Sequence, residues 1–392
     1  MKLELRKVFR GAIFGALFVG LTGGASAATV SKEFRFEADS RIAVENLVGS
    51  VRVRPTDGSV AIVKATVVAE SDALAEAVKF EMTNQGSLQQ LDVIYPEDNR
   101  DIFYDALSKG SRSNVRYRGK KYKIVGSDSR GAVALRVDLE VFLPAGSRMD
   151  KLKNLVGEVD LAKVAADIRV DVGSGQISSV DGKGKLELDT GSGRVNVSSH
   201  EGSVDVDTGS GAVEIVTVLG AVNVDTGSGT VKVSGVSGNV TADTGSGGVE
   251  FAEIIGDKIS ADTGSGSVKG RDLRGSFSAD TGSGSVRVDG IADSDSIDID
   301  TGSGSIRIKG DFSGLRSLKL DTGSGDVDVQ MLAAPDMTVR IEVSSGDIDV
   351  DIPDMKATKV SRHRLETAFG DGSGQGAIGT GSGDVEIHMV KN

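Results

Sequence analysis

Short runs in which apolar and polar residues alternate fill most of this 392-residue chain. In one such run, Val204 and Val206 fall on one face of a strand and Asp205 falls on the other. After a Gly-Ser-Gly corner the alternation restarts, and Val213 and Ile215 fall on the inner face. Two strands that meet at a corner, followed by a looser return segment, predict one coil of a solenoid.

The corners carry a pentapeptide, Asp-Thr-Gly-Ser-Gly, that returns at steps of 18 to 21 residues. A fixed period of about 20 residues is typical of solenoids, in which each repeat is one unit stacked on the next. The aspartates of the motif form a predicted structural turn ladder, which comprises Asp189, Asp207, Asp225, Asp243, Asp262, Asp280, Asp300 and Asp321. The sequence therefore predicts an all-β fold, a parallel β-helix or β-solenoid with coils of about 18–21 residues.

The motif suits a tight corner between two strands. Aspartate can accept a hydrogen bond from the backbone N–H two residues on, and glycine adopts backbone angles that are costly for other residues. The coil register predicts that valine and threonine at equivalent inner positions are buried. It also predicts exposed charges at outward positions, namely Glu214, Lys232, Arg287 and Arg307.

Three chemical roles for the motif compete with this structural role. An aspartic protease uses Asp-Thr-Gly strings, but its two carboxylates must share a proton inside a covered cleft, which a regular repeat does not supply. Stacked carboxylates could attract calcium, although calcium-binding nonapeptide repeats have a different residue order, so only weak cation binding stays open. A polysaccharide-cleaving β-helix enzyme needs long loops, for which coils of 18 residues leave no room. We therefore predict no catalytic, metal-binding or cofactor-binding residues and no cofactor.

The first 27 residues have the parts of a secretory signal peptide. Basic residues such as Lys2 and Arg10 precede an apolar run, and the segment ends with Ala25, Ser26 and Ala27. The apolar run is too short for an ordinary membrane span, although an uncleaved anchor is the alternative. No later segment is apolar enough to cross a bilayer, and the chain has no cysteine for disulfides or lipid attachment. These features predict a protein of the periplasm, the cell surface or the extracellular space.

The mature chain divides into two predicted parts, residues 28–149 and 150–392. The first contains N-terminal strands and a small α+β insertion that caps the solenoid, and the second is the β-solenoid repeat domain. A run that begins at Asn46 has a near twin at Asn154, which suggests one coil before the insertion and one after it. Two segments are expected to cap the far end, the irregular Lys356–Gln375 and the last coil, Ile378–Met389.

Within the insertion, Ser71–Val78 is predicted to form a short helix with Ser71 or Asp72 as its N-cap. Glu97–Gly131 is polar and predicted to be irregular. The predicted strands around it lie near Phe80–Thr83, Leu91–Tyr95 and Ala132–Pro144.

The irregular segment holds a basic cluster with two tyrosines, in a chain whose formal net charge is −12. The predicted partner-binding patch comprises Arg112, Arg116, Tyr117, Arg118, Lys120, Lys121, Tyr122 and Lys123. The expected partner is an anionic envelope component or another protein, with tyrosine and arginine supplying the contact surface. A solvated, mobile loop is the alternative. The acidic balance of the whole chain argues against nucleic acid, whose phosphates need a basic surface.

The repeats, the signal peptide and the strand that ends at Phe142, Leu143 and Pro144 are familiar as a combination. Together they resemble the bacterial β-strand-repeat domains of unknown function that carry an inferred adhesin label. The resemblance implies a β-solenoid over nearly all of the mature chain and offers no catalytic residues. We predict a non-enzymatic, secreted module of the cell envelope with a structural or adhesin-like binding role. The alternative is a glycan-active β-helix enzyme with its site at the N-terminal insertion.

Overall fold

The computed structural model describes residues 28–98, 100–127, 131–353 and 356–390, so the predicted signal peptide, residues 1–27, lies outside the described residues. The chain divides into two compact units, Met1–Gly202 and Ser203–Asn392. The described residues are nearly all β-structure and form about 12 turns of parallel β-solenoid with coils of about 19 residues. The predicted all-β solenoid is confirmed.

In its described residues, the first unit contains one helix, α1 (Asp72–Ala77), which lies within the insertion. Its strands are β1 (Ala28–Arg35), β2 (Arg41–Val48), β3 (Val51–Pro55), β4 (Ile62–Ala69), β5 (Lys79–Gln85), β6 (Leu88–Ile94), β7 (Asp101–Phe103), β8 (Arg112–Tyr117), β9 (Lys120–Val125), β10 (Val133–Leu143), β11 (Ser147–Val156), β12 (Val159–Ala162), β13 (Ala166–Ser174), β14 (Ile177–Lys183), β15 (Leu186–Ser192) and β16 (Val195–Glu201).

The predicted twin runs stack on each other in the first unit. β2 pairs in parallel with β11, and β3 pairs in parallel with β12. This register places Asn46 beside Asn154, and Nδ2 of Asn46 donates to Oδ1 of Asn154 over 3.0 Å. Both side chains are fully buried. The two runs are therefore consecutive layers of the stack, although 108 residues separate the two asparagines in sequence.

Strands that pair antiparallel with one another cover the amino-terminal end of this stack. β6 pairs with β2, and β5 lies antiparallel on the far side of β6. β10 pairs in parallel with β3. β4 then lies antiparallel to β10, and β1 lies antiparallel to β4. Because these strands take up the backbone groups of the last parallel strands, they protect the stack from edge-to-edge pairing.

The insertion is more regular than its composition indicates. The predicted helix is confirmed, with Ser71 as the N-cap whose Oγ accepts a hydrogen bond from the Leu74 backbone N–H over 3.3 Å. β5, β6 and β10 confirm the predicted strands. The prediction that Glu97–Gly131 is irregular is wrong, because β8 and β9 form an antiparallel hairpin and β7 pairs in parallel with β9. The many charges of this segment obscure a period-2 alternation that is nevertheless present.

The second unit has no helix among its described residues. Its strands are β17 (Val204–Ser210), β18 (Val213–Leu219), β19 (Val222–Ser228), β20 (Val231–Ser237), β21 (Val240–Thr244), β22 (Val249–Thr263), β23 (Val268–Thr281), β24 (Val286–Ala292), β25 (Ser296–Thr301), β26 (Ile306–Asp311), β27 (Ser317–Thr322), β28 (Val327–Ala333), β29 (Met337–Val343), β30 (Ile348–Asp351), β31 (Lys356–Ser361), β32 (Arg364–Phe369), β33 (Gly374–Thr380) and β34 (Val385–Met389).

The last coil in sequence is not the last layer of the stack. β33 pairs in parallel with β27 on one side and with β29 on the other. β34 likewise lies between β28 and β30. The prediction that this coil forms the terminal cap is therefore wrong. The other predicted cap, Lys356–Gln375, does close part of that end, because β32 runs antiparallel to β29. It is not irregular as predicted, since β31 and β32 form an antiparallel hairpin.

The coil register in the second unit follows the predicted alternation. Val206, Val213 and Ile215 are buried, with at most 4% of their surface exposed. The charged residues predicted to face outward are all exposed, namely Glu214, Lys232, Arg287 and Arg307. Each buried aliphatic side chain contributes about 1.5–3 kcal/mol. Each turn adds only a few buried side chains to the thin core, so its stability depends on packing against the neighbouring turns.

Candidate functional site

Threonine, rather than aspartate, makes the corner hydrogen bonds of the second unit. Oγ1 of Thr281 accepts from the backbone N–H of Gly284 over 3.0 Å and donates to the carbonyl oxygen of Gly266, one turn away, over 2.8 Å. The same pair of bonds is made by Thr244, Thr263, Thr301, Thr322 and Thr380. At these corners of the second unit the predicted aspartate turn is wrong, because the inward-facing threonine, and not the outward-facing aspartate, makes the hydrogen bonds.

Three other motif threonines are buried without such bonds. The hydroxyls of Thr190, Thr208 and Thr226 are enclosed and have no hydrogen-bond partner among the described residues. In the first unit, Val172 occupies the position that pairs with Thr190 in the neighbouring turn. A hydroxyl is therefore not required at every copy of this position.

The predicted aspartate ladder lies on the open outer face of the strands. From Asp207 to Asp321 its members pair in register from turn to turn. Partial burial and the carboxylates of Asp243 and Asp280 raise the pKa of Asp262 above its ordinary value. Stacked like charges repel one another. The carboxylates around Asp262 thus repel one another on an open face, which is not the covered cleft that a pair of catalytic aspartates needs.

The predicted partner-binding patch separates into the two faces of the β8–β9 hairpin. Tyr117 and Tyr122 are buried on the inner face, with 2% and 4% of their surface exposed. Arg112, Arg116 and Lys121 are exposed on the outer face. The expectation that tyrosine supplies a contact surface is therefore wrong. The alternation of β8 carries the signal, because Tyr117 shares its strand face with Val115 and not with the arginines.

The inner-face tyrosines fasten the hairpin to the rest of the first unit. The Tyr117 hydroxyl donates to the carbonyl oxygen of Val93 over 2.7 Å. The Tyr117 ring meets Tyr95 edge to face, with 6.2 Å between ring centroids. Burial, with nearby carboxylates as a smaller cause, raises the pKa of Tyr117 well above its ordinary value, so the hydroxyl remains a donor. These contacts hold the described part of this segment against the rest of the first unit.

Three cations of the patch have acidic partners. Arg118 pairs with Asp92 over 2.7 Å and with Glu81 over 3.1 Å. Lys123 pairs with Asp101 over 3.3 Å. Lys120 pairs with the carboxylate of Glu97. These ion pairs connect the hairpin turn and its flanking segments to neighbouring acidic residues.

The remaining cations, Arg112, Arg116 and Lys121, form no ion pair with any residue that the structure describes. Arg116 lies directly opposite Lys121 on the neighbouring strand. Like charges at such positions destabilise a hairpin. We call Arg112, Arg116, Lys121 and the partly neutralised Lys123 the basic outer face. Its uncompensated charge makes it the best candidate for a binding surface that the sequence had indicated.

Other groups that could carry chemistry are few among the described residues. In the described ranges, no group of three or more acidic or histidine side chains is arranged to hold a metal ion. No helix of the described residues is long and apolar enough to cross a membrane. His200 is buried, its Nε2 donates to the Gly184 carbonyl oxygen over 2.8 Å, and burial lowers its pKa. These features give His200 a structural role.

Comparisons with known proteins concern the fold. No curated protein matches this chain. One similar solved structure is titled a "putative cell adhesion protein" from Clostridium sporogenes, with 10% identity, a TM-score of 0.16, and coverage of 92% of this chain and 100% of that one. Another is titled a "Putative lipid binding protein" from Parabacteroides distasonis, with 12% identity, a TM-score of 0.26, and coverage of 91% and 96%. Residues 237–388 match the family model Toastrack DUF4097, a domain of unknown function, which confirms the resemblance inferred from the repeats.

Proposed function

We propose that this protein is a non-enzymatic, adhesin-like binding module of the cell envelope, and that its basic outer face holds an anionic glycan. The observation that carries the proposal is the pair of unneutralised cations, Arg116 and Lys121, at directly opposite positions of the β8–β9 hairpin. An anionic ligand would remove the repulsion between them. The N-terminal sequence supports export to the periplasm, the cell surface or the medium, where such polymers occur.

The composition of the face favours a hydrated polyanion over a protein partner. Protein interfaces centre on aromatic anchors that fill pockets. Here Tyr117 and Tyr122 are buried on the inner face. The exposed positions of β8 are occupied by Arg112, Asn114 and Arg116. Charged and amide groups without an apolar centre suit the carboxylates and hydroxyls of an acidic polysaccharide.

The same face supports a binding role over a catalytic one. Glycoside hydrolysis uses two carboxyl groups on either side of the bond that breaks. The exposed outward positions of the hairpin present cations and one amide, Asn114, and Asp101 on the neighbouring strand is paired with Lys123. The hairpin thus provides attraction and orientation for an anion without an acid–base pair.

The proposal is tested by binding of polygalacturonate to purified protein at low and at near-physiological salt. The variant Arg116→Gln/Lys121→Gln should bind about three- to tenfold more weakly at low salt, and the difference should shrink as salt screens the charges. The variant Lys232→Gln/Arg287→Gln removes two exposed cations, each paired with an acid, from coil positions of the second unit and controls for the loss of two positive charges.

Equal weakening by both double variants would show that only the overall charge matters, which contradicts a site on the hairpin. Absence of polygalacturonate binding by the wild-type protein, together with binding to vesicles that contain phosphatidylglycerol, would replace the glycan by a lipid headgroup. Neutral dextran should not bind the outer face, since it carries no charge for the cations to attract.

A further inference from the structure

A cleft of about 400 Å³ lies beside the hairpin in the first unit, between the insertion and the corners of the coils. One wall comes from the insertion and includes Tyr104, Leu107 and Arg112. The opposite wall includes Glu158 and Gln176, which follow corner glycines. Its volume falls within the range of small-molecule sites, and its walls combine an apolar patch with several polar groups.

The insertion wall of the cleft is held in place by hydrogen bonds. The backbone N–H of Tyr104 donates to the Val125 carbonyl oxygen over 3.0 Å. Nη1 of Arg136 donates to both carboxylate oxygens of Asp105, over 3.0 and 3.2 Å. Oγ of Ser113 lies 3.3 Å from Oγ of Ser174 across the base of the hairpin. A wall fixed in this way is preorganised, so a ligand would not have to order it.

Tyr104 supplies an unused donor in this wall. Only 4% of its surface is exposed, and its hydroxyl has no hydrogen-bond partner among the described residues, yet the oxygen is not fully enclosed. Tyr104 lines the cleft, so its hydroxyl is a candidate donor to a ligand there. Burial, with the Asp138 carboxylate as a smaller cause, raises the pKa of Tyr104 to about 12, so the proton is retained at neutral pH.

The coil wall has unusually large polar residues. The position that follows the corner glycine holds Glu158, Gln176 and Arg194 in consecutive turns of the first unit. In the second unit the next six turns hold small residues at this position, namely Ala212, Thr230, Gly248, Ser267, Ser285 and Ser305, and later turns hold Asp326, Asp347 and Asp384. Because the coil folds with a small residue at this position, its geometry does not require a carboxylate or an amide there. Of the residues at this position, Glu158 and Gln176 line the cleft.

We propose that this cleft binds one sugar residue of a glycan through its hydroxyl groups. The inference rests on the proposed function and assigns the subsite that would recognise the sugar itself. Tyr104 and Arg112 would donate to ring or hydroxyl oxygens, and the Glu158 carboxylate would accept from a hydroxyl. The apolar side chain of Leu107 would cover a C–H face of the ring. Among the described residues that line the cleft, Glu158 is the one carboxylate, which suits binding and not hydrolysis.

The test uses two trisaccharide probes, of galacturonate and of glucose, with the whole purified protein. Calorimetry and saturation-transfer NMR should detect millimolar or tighter binding of at least the galacturonate probe. Tyr104→Phe and Glu158→Gln should each weaken binding about three- to tenfold, the scale of one lost hydrogen bond. Glu214→Gln, an exposed coil position of the second unit, is the control for the loss of one negative charge.

Each outcome separates the cleft from the basic outer face. Binding that is unchanged in both cleft variants, with unchanged melting, overturns the cleft, and so does a wild-type protein that binds neither probe. If the cleft variants lose affinity while Arg116→Gln/Lys121→Gln does not, the cleft stands and the outer face fails. Release of shorter saccharides from a probe would support the cleft as a sugar site and contradict the non-enzymatic proposal.

Discussion

Replacing the corner threonine should have opposite effects at two positions of the second unit. In Thr281→Val, the isosteric side chain leaves the Gly284 N–H and the Gly266 carbonyl oxygen without their partner. An unsatisfied buried group costs about 1–3 kcal/mol, so a loss of about 2–4 kcal/mol is expected for the pair. In Thr226→Val, the change removes a buried hydroxyl that has no partner, and a gain of up to about 1 kcal/mol is expected.

Thermal and urea unfolding of the two variants and the wild type would measure this difference. For a unit of this size, 1 kcal/mol shifts the melting temperature by about 2–4 °C. Thr281→Val should therefore melt at least about 4 °C lower, and Thr226→Val should melt unchanged or slightly higher. Thr281→Ser, which keeps the hydroxyl and loses the methyl group, separates hydrogen bonding from packing. A similar loss of stability in Thr226→Val would refute the claim that only some corner threonines are bonded.

Three further changes test the fold and its electrostatics. Val213→Asp places an unpaired charge in the thin core and should cost at least about 4 kcal/mol in urea unfolding; a cost under about 1 kcal/mol would contradict the coil register. Asp262→Asn should raise the melting temperature at pH 7, because the raised pKa means that the ionised carboxylate destabilises the folded state. The gain should vanish as the pH falls through the carboxyl range near about pH 4, and a gain that persists there would point to another cause. Tyr117→Phe removes the bond to the Val93 carbonyl oxygen and should cost about 1–2 kcal/mol and speed proteolysis of the hairpin, whereas an unaffected hairpin would refute this anchoring role.

Strand alternation made the coil register predictable, because a shift of one residue would have moved Val213 to solvent and Glu214 to the core. The same rule correctly places Thr208 inside, and it also applies to two expectations that are wrong, the corner hydrogen bond of aspartate and the exposed Tyr117. Thr208 shares the parity of Val206 and therefore faces inward at the corner, and Tyr117 shares the parity of Val115. Aspartate often forms turns and tyrosine often lies at interfaces, but here strand parity decides which side chain faces inward.

The order of the layers is a different kind of problem. Each coil presents the same backbone ladder and similar aliphatic side chains on both sides, so many coils can pair with many others. Nothing local in the sequence of β33 and β34 indicates that they enter between two earlier coils. The cleft at Tyr104 was also out of reach, since it forms between segments whose approach depends on how the insertion folds back over the corners.

The most direct test of the binding surface is a map of backbone hydrogen exchange with and without polygalacturonate. When the polymer is bound, we expect slower backbone exchange over Arg112–Val125 and at the corners that include Glu158 and Gln176. The outward faces of the second unit, such as Val231–Ser237, should show unchanged exchange. Protection that is confined to those coil faces, with none in the hairpin, would contradict the assignment of the binding surface to the insertion.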